Sequence, residues 1–452
     1  MDDPMKALSL FAALLVAAPV AAQAGQDSMP LSLAQAQRTA TENNPQYRRA
    51  QTELGTAEAD LRRARGAFLP IVSLDFGASG GYSRRFTGLD QFGETVVRDE
   101  VLESNYSRAD QGLSIRSLTL FDGGERLRER RAAQAGYQAT EARIGSEEVR
   151  VRGEVERRYW EAVRAGQAIA LEEALLASAR ERLESTRALQ RVGVRGPIDV
   201  LGAEVTVAEQ EQALEKARGD ARRAQLDLRQ SMGVLDGPPL VLTDAPAALF
   251  DPAALDVPAL VSRAFANHPR VARVQLAEQQ AEHRLAAAQT NRLPRLSVAG
   301  SVGRSQNNSD YSGLVQVNPL DQAAGLKFDL SIPLFTQYQT SYQIHSARAA
   351  RNAAREDSRA ERLAVERDVR VAVVELQNAH TAAALTARAL DLNRRRLELA
   401  QQQYRVGALT LMELTDAVER AARAERDALR TRFEFAAALA TLDERVGGPV
   451  AP

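Results

Sequence analysis

The feature that most constrains this chain is that it is written twice. Thr39-Ala40-Thr41-Glu42-Asn43-Asn44-Pro45 is answered by Arg263-Ala264-Phe265-Ala266-Asn267-His268-Pro269, so Pro45 and Pro269 stand 224 residues apart. Phe68-Leu69-Pro70 and Arg292-Leu293-Pro294 keep the same spacing of 224. Beyond them the spacing falls once, to 214, and then holds: Leu120-Phe121 with Leu334-Phe335, Val192-Gly193 with Val406-Gly407, Ala203 with Ala417, Gly233 with Gly447. A single length change of ten residues therefore lies between Pro70 and Phe121, where the first copy is the longer. Punctuation residues held at fixed offsets mark a repeated supersecondary unit. The copies are read as 25–233 and 259–447, with 234–258, rich in Pro, Gly and Asp, as the linker and 448–452 as a tail.

Each copy reads alike. A helix of about twenty residues follows the Asn-Pro or His-Pro step and stops at the Leu-Pro step, because proline disfavours helix at the residue before it. An alternating strand comes next: Val72, Leu74, Phe76 and Ala78 on one face, Ser73, Asp75, Gly77 and Ser79 on the other, with Leu296 and Val298 alternating in the second copy. A stretch rich in Gly, Ser, Asn and Asp reads as a loop. A second strand follows, clean in Leu326, Phe328, Leu330, Ile332 and Leu334, but with an apolar parity that switches near Ser117 in Leu113 to Phe121, as at a bulge. Then Asp122 to Gln190 and Gln337 to Tyr404 contain no proline and read as continuous helices, each spanning ~100 Å. A heptad track runs through both: Val155, Ala162, Ile169, Leu176 and Leu183, and 214 residues on Val369, Leu376, Ala383, Leu390 and Leu397. That period implies left-handed coiled-coil packing. Glycine stops each long helix, Pro197 suits the first turn of the next, and a returning helix runs to Gly233 or Gly447.

The start of the chain reads as an export signal: Lys6, the apolar run Ala7 to Val20, and the small-residue site Ala22-Gln23-Ala24, giving a mature protein from near Gly25. Asp2 and Asp3 are unusual in such a segment, and Met5 is the more ordinary start. No other apolar run is long enough for a membrane helix, so membrane entry requires a closed β-barrel. With no cysteine there is no disulfide, thiolate metal site or lipid-anchoring residue. The four histidines, His268, His283, His345 and His380, are scattered without metal-ligand spacing and read as solvated or packed. A net charge of -1 gives no pull toward nucleic acid. No nucleophile-base set, phosphate loop or cofactor motif appears, so neither an enzyme nor a cofactor is expected.

Four strands cannot close a barrel, since about eight are needed. Three chains would bring twelve, an even number within the range of outer-membrane barrels. The fold expected is mainly α with a small β part: duplicated coiled-coil hairpins forming a tunnel, and four strands per chain contributing to a trimeric barrel. A periplasmic coiled-coil scaffold explains the helices but not the two strand hairpins. A periplasmic adaptor should show one helical hairpin between compact β domains, not two.

The duplicated Asn-Pro and Leu-Pro steps, Leu-Phe-Asp-Gly-Gly at 120–124, and the tips Arg191 to Leu201 and Tyr404 to Ala417 resemble the TolC family of outer-membrane efflux and secretion channels, in its unlipidated form. The resemblance covers about Leu31 to Gly447. It implies a homotrimer embedded in outer-membrane lipid, with a periplasmic tunnel whose tip docks an adaptor and, through it, an inner-membrane transporter. It implies that Glu413 and Asp416, three apart on one helix face, form anionic rings at the pore axis. From the local pattern alone they are a solvated helix face. It implies tip closure by Asp199, Tyr404 and Arg405, against the plainer reading of helix capping. Ala408 and Leu409 depart from the polar residues often found at the closing tips. It implies adaptor docking at Val192-Gly193-Val194 and Val406-Gly407-Ala408, where a glycine helix stop is the plainer reading. Tyr82, Phe86, Phe92 and Tyr106 are candidates for an aromatic girdle or surface lid, while Tyr159 and Trp160 read as packing residues.

Overall fold

The computed structural model describes residues 29–89, 91–315, 317–406 and 408–450, so the export signal lies outside it. The first copy contains β1 (Met29–Leu31), α1 (Leu33–Asn43), α2 (Pro45–Gly66), β2 (Val72–Leu89), β3 (Thr95–Phe121), α3 (Glu125–Arg191) and α4 (Pro197–Met232). After β4 (Leu240–Leu242) come α5 (Val257–Asn267), α6 (Pro269–Thr290), β5 (Arg295–Asn308), β6 (Asp321–Ser331), α7 (Gln339–Arg405) and α8 (Leu411–Val446). The long helices α3 and α7 have 67 residues each and the returning helices 36 each, in register at 214.

Why the short helices break is visible at Asn44. It closes α1 and opens α2, its side chain accepting from the backbone N–H groups of Gln46 and Tyr47 at 2.9 and 3.3 Å while its amide donates to Ser231 O at 2.9 Å. Pro45, the residue after it, cannot continue α1 but suits a first turn. In the second copy His268 does the same work. It is 4% exposed, and its Nδ1 accepts from Arg270 N at 3.2 Å. Such a cap needs the neutral ring. Burial, with the Arg270 charge beside it, holds the imidazole below the usual histidine value.

The sheet has order β2-β3-β5-β6, all antiparallel. Pairing puts apolar residues in rows across it: Leu74, Leu113 and Val302; Val72, Ile115 and Leu326 with Gly300 between; Leu118, Val298 and Phe328. The alternate rows are polar, and across neighbouring ones Arg116, Ser73, Asp75 and Ser114 form a hydrogen-bonded cluster at 2.8–3.1 Å. The parity switch near Ser117 is a register shift between Ile115 and Leu118.

Two readings are corrected. The Gly/Ser-rich stretch of the first copy is not a loop: β2 runs on to Leu89 and β3 begins at Thr95. Their outer ends pair only with each other, since β3 meets β5 only from Ser107 onward. The longer hairpin of the first copy thus projects past the four-stranded sheet, carrying the exposed Tyr82, Phe86, Phe92 and Tyr106. Ladder hydrogen bonds override the weak strand propensity of glycine there. In the other direction, β6 ends at Ser331, short of Ile332 and Leu334, because Pro333 has no N–H to give a ladder. The strand-to-helix turn is also tighter than the sequence suggests. Gly123 and Gly124 take φ of +64° and +86°, and their counterparts Gln337 and Tyr338 are forced to +50° and +64°, a conformation that costs a non-glycine residue ~1 kcal/mol.

The segment between the copies adds structure to the middle of the molecule. β4 pairs in parallel with β1, and Tyr159 ties this belt to α3 by donating to Leu31 O at 3.0 Å and lying 3.2 Å from Asp244 Oδ2. Around it sits one core, of Val151, Val155, Tyr159, Trp160, Leu228 and Phe433; a second gathers Val271, Val365, Val369, Leu376, Phe435 and Leu442. The heptad residues Val155, Ala162, Leu176, Leu183, Val369, Leu376 and Ala383 are buried, and Ile169, Leu390 and Leu397 are half-buried. The core is therefore equatorial, and sheet and hairpin tips extend from it in opposite directions.

Candidate functional site

At the sheet end the outward rows are bare. Leu74, Phe76, Leu326, Phe328 and Leu330 are 62–72% exposed. No helix among the described residues is long and apolar enough to cross a membrane. A contiguous apolar face of this size on an exported chain is a lipid-facing wall, and the cluster around Asp75 and Arg116 lies on the opposite, water-facing side.

At the other end the helices turn. Gly193 takes φ +76°, with its N–H on Gln190 O and that of Val194 on Leu189 O, both at 3.0 Å. A Cβ at Gly193 would meet nothing within 4 Å, so its requirement is one of backbone conformation. Val192, Val194 and Val406 are 64–79% exposed, and Ala408 is exposed with its N–H on Gln403 O. Gly407 lies outside the described residues. The five described docking positions thus sit on the two hairpin turns.

The acidic candidates all have partners within the chain. Asp199 accepts from Gly196 N at 3.1 Å. Glu413 forms a capping box with Thr410, accepting from its N–H at 3.0 Å and its hydroxyl at 2.7 Å. The Thr410 N–H is the main cause holding the Glu413 carboxyl below its ordinary value. Asp416 lies between Arg420 at 2.7 Å and Arg396 at 2.9 Å, and the hydrogen bond from Arg420 chiefly lowers its pKa. Tyr404 is the meeting point of the two tips: the Arg195 guanidinium stacks 4.1 Å over its ring, and burial raises the phenol above its usual value. Arg405, next to it, is exposed. Arg195 was not singled out in the sequence, where only its place in the Arg-Gly-Pro turn marks it.

Between the two hairpins runs an open groove of about 1350 Å³, walled by α3, α4 and α8. At its floor Arg426 grips the buried Glu172 with two bonds of 2.6 and 2.8 Å and reaches Gln210 at 3.2 Å. Ionic pairs such as Arg158–Asp227 and Arg430–Asp427 line its walls. Among the described residues no group of three or more His, Asp or Glu could hold a metal.

A sheet greasy on one face and polar on the other, mounted on helical hairpins ~100 Å long, is the wall of a membrane duct that continues far into water. The chain belongs to the outer membrane efflux protein family, whose model matches residues 36–234 and 260–448. It is 28% identical over 321 residues to protein CyaE of Bordetella pertussis, covering 71% of this chain and 63% of that one. It is 21% identical over 425 residues to the outer membrane protein TolC of Vibrio cholerae, covering 92% and 90%. Among solved structures it resembles CusC at TM-score 0.77 and 16% identity, covering 95% of this chain and 96% of that one. It also resembles a Pseudomonas aeruginosa membrane protein at TM-score 0.75 and 20% identity, with coverage of 92% and 90%. The protein is an outer-membrane channel whose helices form a tunnel in the periplasm.

Proposed function

We propose that the chain works as a homotrimer, the exit duct of a tripartite efflux pump or a type I secretion system. The observation that carries this is the state of the sheet: among the described residues its edge strands β2 and β6 have no partner on their outer sides. Lipid does not tolerate unpaired backbone, so closure must come from other copies. Three chains give twelve strands around a water-filled lumen lined by the Asp75–Arg116 face. The duct itself is passive, with no chemistry, cofactor or nucleic acid involved. Energy comes from an inner-membrane transporter reached through a periplasmic adaptor, which docks on the apolar turns at Val192 to Val194 and Val406 to Ala408.

In this reading Asp199, Tyr404 and Arg405 help close the tips, with Arg195 as a further member. Glu413 and Asp416 form the narrowest, most negative ring. Within a single chain Asp416 is countered by Arg396 and Arg420, so the ring gains its full charge only when those arginines turn away. The test is the size of the protein in mild detergent, by light scattering and cross-linking: a trimer is expected, and a stable monomer overturns the proposal.

A further inference from the structure

The chain is nearly neutral, with a net charge of -1, but its charge is not evenly spread. Four segments adjoin the rim where the helices meet the sheet: 61–70, 122–138, 281–295 and 336–355. Together they hold thirteen arginines against four acidic residues, and 61–70 and 336–355 hold no acid at all. At the rim itself Phe121, Phe335, Tyr338 and Tyr342 are 51–78% exposed, and the Arg126 guanidinium lies 5.1 Å over the Phe68 ring. An apolar wall, then bare aromatic rings, then a band of cations is the order of chemistry that matches a bilayer from its hydrocarbon to its headgroups.

Within this band a cleft of about 470 Å³ opens between α2, α3 and α6. Arg65, Arg130, Arg131 and His283 line it, with Gln138 and Gln279, and among the described residues no carboxylate does. Neighbouring arginines each have an acid: Arg62 has Glu58, Arg63 has Asp60, Arg126 has Asp122 and Arg143 has Glu53. Arg65, Arg130 and Arg131 are exposed and form no ion pair among the described residues. Three guanidinium groups sharing one cleft repel one another until an anion sits among them.

The cleft opens on the outer side of the wall. Arg131 and Gln138 precede Tyr159 by four and three whole heptads, so they share its face of α3. Tyr159 is the residue that binds the belt of β1 and β4. Beneath the sheet the helices stand one deep in the order α2-α3-α6-α7, following the strands. The belt is a second layer on one side of that wall, and only on the outside does it leave the lumen of a duct clear. Depth agrees. Arg65 is the last residue but one of α2, and Arg131 lies seven residues beyond Gly124, where α3 starts, a descent of ~10 Å. A headgroup zone is about 5–8 Å thick in each leaflet, within reach of an arginine side chain.

We propose that this cleft binds the phosphate headgroup of an anionic phospholipid from the leaflet on the helix side of the membrane, and that the arginine band around it is a collar holding that leaflet to the duct. The planar guanidinium fork matches phosphate oxygens two at a time, and Gln138 and Gln279 supply further polar groups at the cleft. The two copies are not equal in this. The counterparts of Arg130 and Arg131, 214 residues on, are Ile344 and His345, so the first copy alone carries the full arginine set and each chain offers one such site.

This rests on the duct reading, and the experiment separates the two. The full-length protein is placed in nanodiscs of phosphatidylcholine with a minor share of phosphatidylglycerol, and the association of spin-labelled forms of the two lipids is compared. Wild type should prefer phosphatidylglycerol several-fold at low salt. Arg65→Gln/Arg130→Gln/Arg131→Gln should lose about fivefold or more of that preference, with trimer and insertion unchanged. Arg222→Gln/Arg388→Gln/Arg395→Gln removes as much charge from exposed positions far from the sheet and should keep it. Arg131→Gln alone, with a smaller loss, serves if the triple variant fails to assemble. A trimeric, inserted wild type without the preference, or an equal loss in the distant variant, would overturn the collar and leave the duct reading standing. Displacement of the lipid by millimolar inorganic phosphate at constant ionic strength would assign the cleft to a soluble anion and overturn it too. A monomeric wild type would remove the duct reading.

Discussion

The two ends of this molecule are built for opposite surroundings. At the sheet end the outward side chains are apolar and bare, and the polar groups hydrogen-bond among themselves on the other face. At the tip the outward acidic groups are engaged by arginines and helix caps, and the bare apolar residues lie on the turns and the helix starts beside them. A chain that settled in one solvent would not need both. The contrast teaches that at the sheet a residue is judged by what lipid tolerates, and at the tip by what another protein or a passing ion meets.

The largest expected effect lies at the sheet. Phe328→Arg places a charge on the outward row and should cost ~2–4 kcal/mol if that row lies near the bilayer midplane. Trimer in the outer-membrane fraction should fall sharply, while Ser301→Arg, on the polar face, should assemble. Equal assembly of both would erase the distinction between the faces.

Next in size is the turn at Gly193. Because its φ is +76° with open space around it, Gly193→Asn keeps the left-handed backbone and Gly193→Trp adds bulk. Adaptor binding should weaken about tenfold or more in the Trp variant and by much less in the Asn variant, with trimer and insertion intact in both. Equal losses would trace the defect to backbone geometry.

At the gate the effect is smaller. Glu413→Ala/Asp416→Ala should reduce cation preference and the block by multivalent cations in planar bilayers. In wild type that block should weaken as monovalent salt rises. Reversal potentials and block unchanged by the double mutation would leave these carboxylates as capping and surface groups.

The smallest effect belongs to the middle. The His268 pKa is lowered in the folded state, so its contribution to stability is full above the unfolded value, near 6.5, and is lost as pH falls through the folded one. Nearby Asp443, raised to about 6 by burial, runs the other way. Comparing His268→Asn with wild type isolates the histidine, since asparagine is the first copy's cap. The variant should gain about 1–2 °C in melting temperature relative to wild type between neutral pH and pH 5. A constant difference across that range would mean the ring does not titrate with folding.

Much of this was legible because proline and glycine act locally. Pro45, Pro70, Gly193 and Gly233 mark element ends whatever surrounds them, and the heptads name their own buried face. The outer half of the first strand hairpin was not legible, because Gly80 and Gly81 carry no strand signal and are held by partners across the ladder. Nor was β4, whose partner β1 lies more than two hundred residues earlier. At the tip the positions were legible but their company was not: the stacking of Arg195 on Tyr404 joins hairpins about two hundred residues apart, and Asp416 is bracketed by one arginine of its own helix and one of the helix before it.

The spacing of 214 between the copies, constant from the sheet's lower rim to the last helix, behaves like a pair of matched stilts. If one hairpin grew by a heptad and its twin did not, the turns would stand at different heights and no flat rim would meet the proposed adaptor. Any lineage or designer lengthening this tunnel to reach across a deeper periplasm must therefore insert in both copies, on both limbs of each hairpin, at one stroke. Past the sheet no such twin constrains the chain, and there the ten-residue difference between the copies has been free to accumulate.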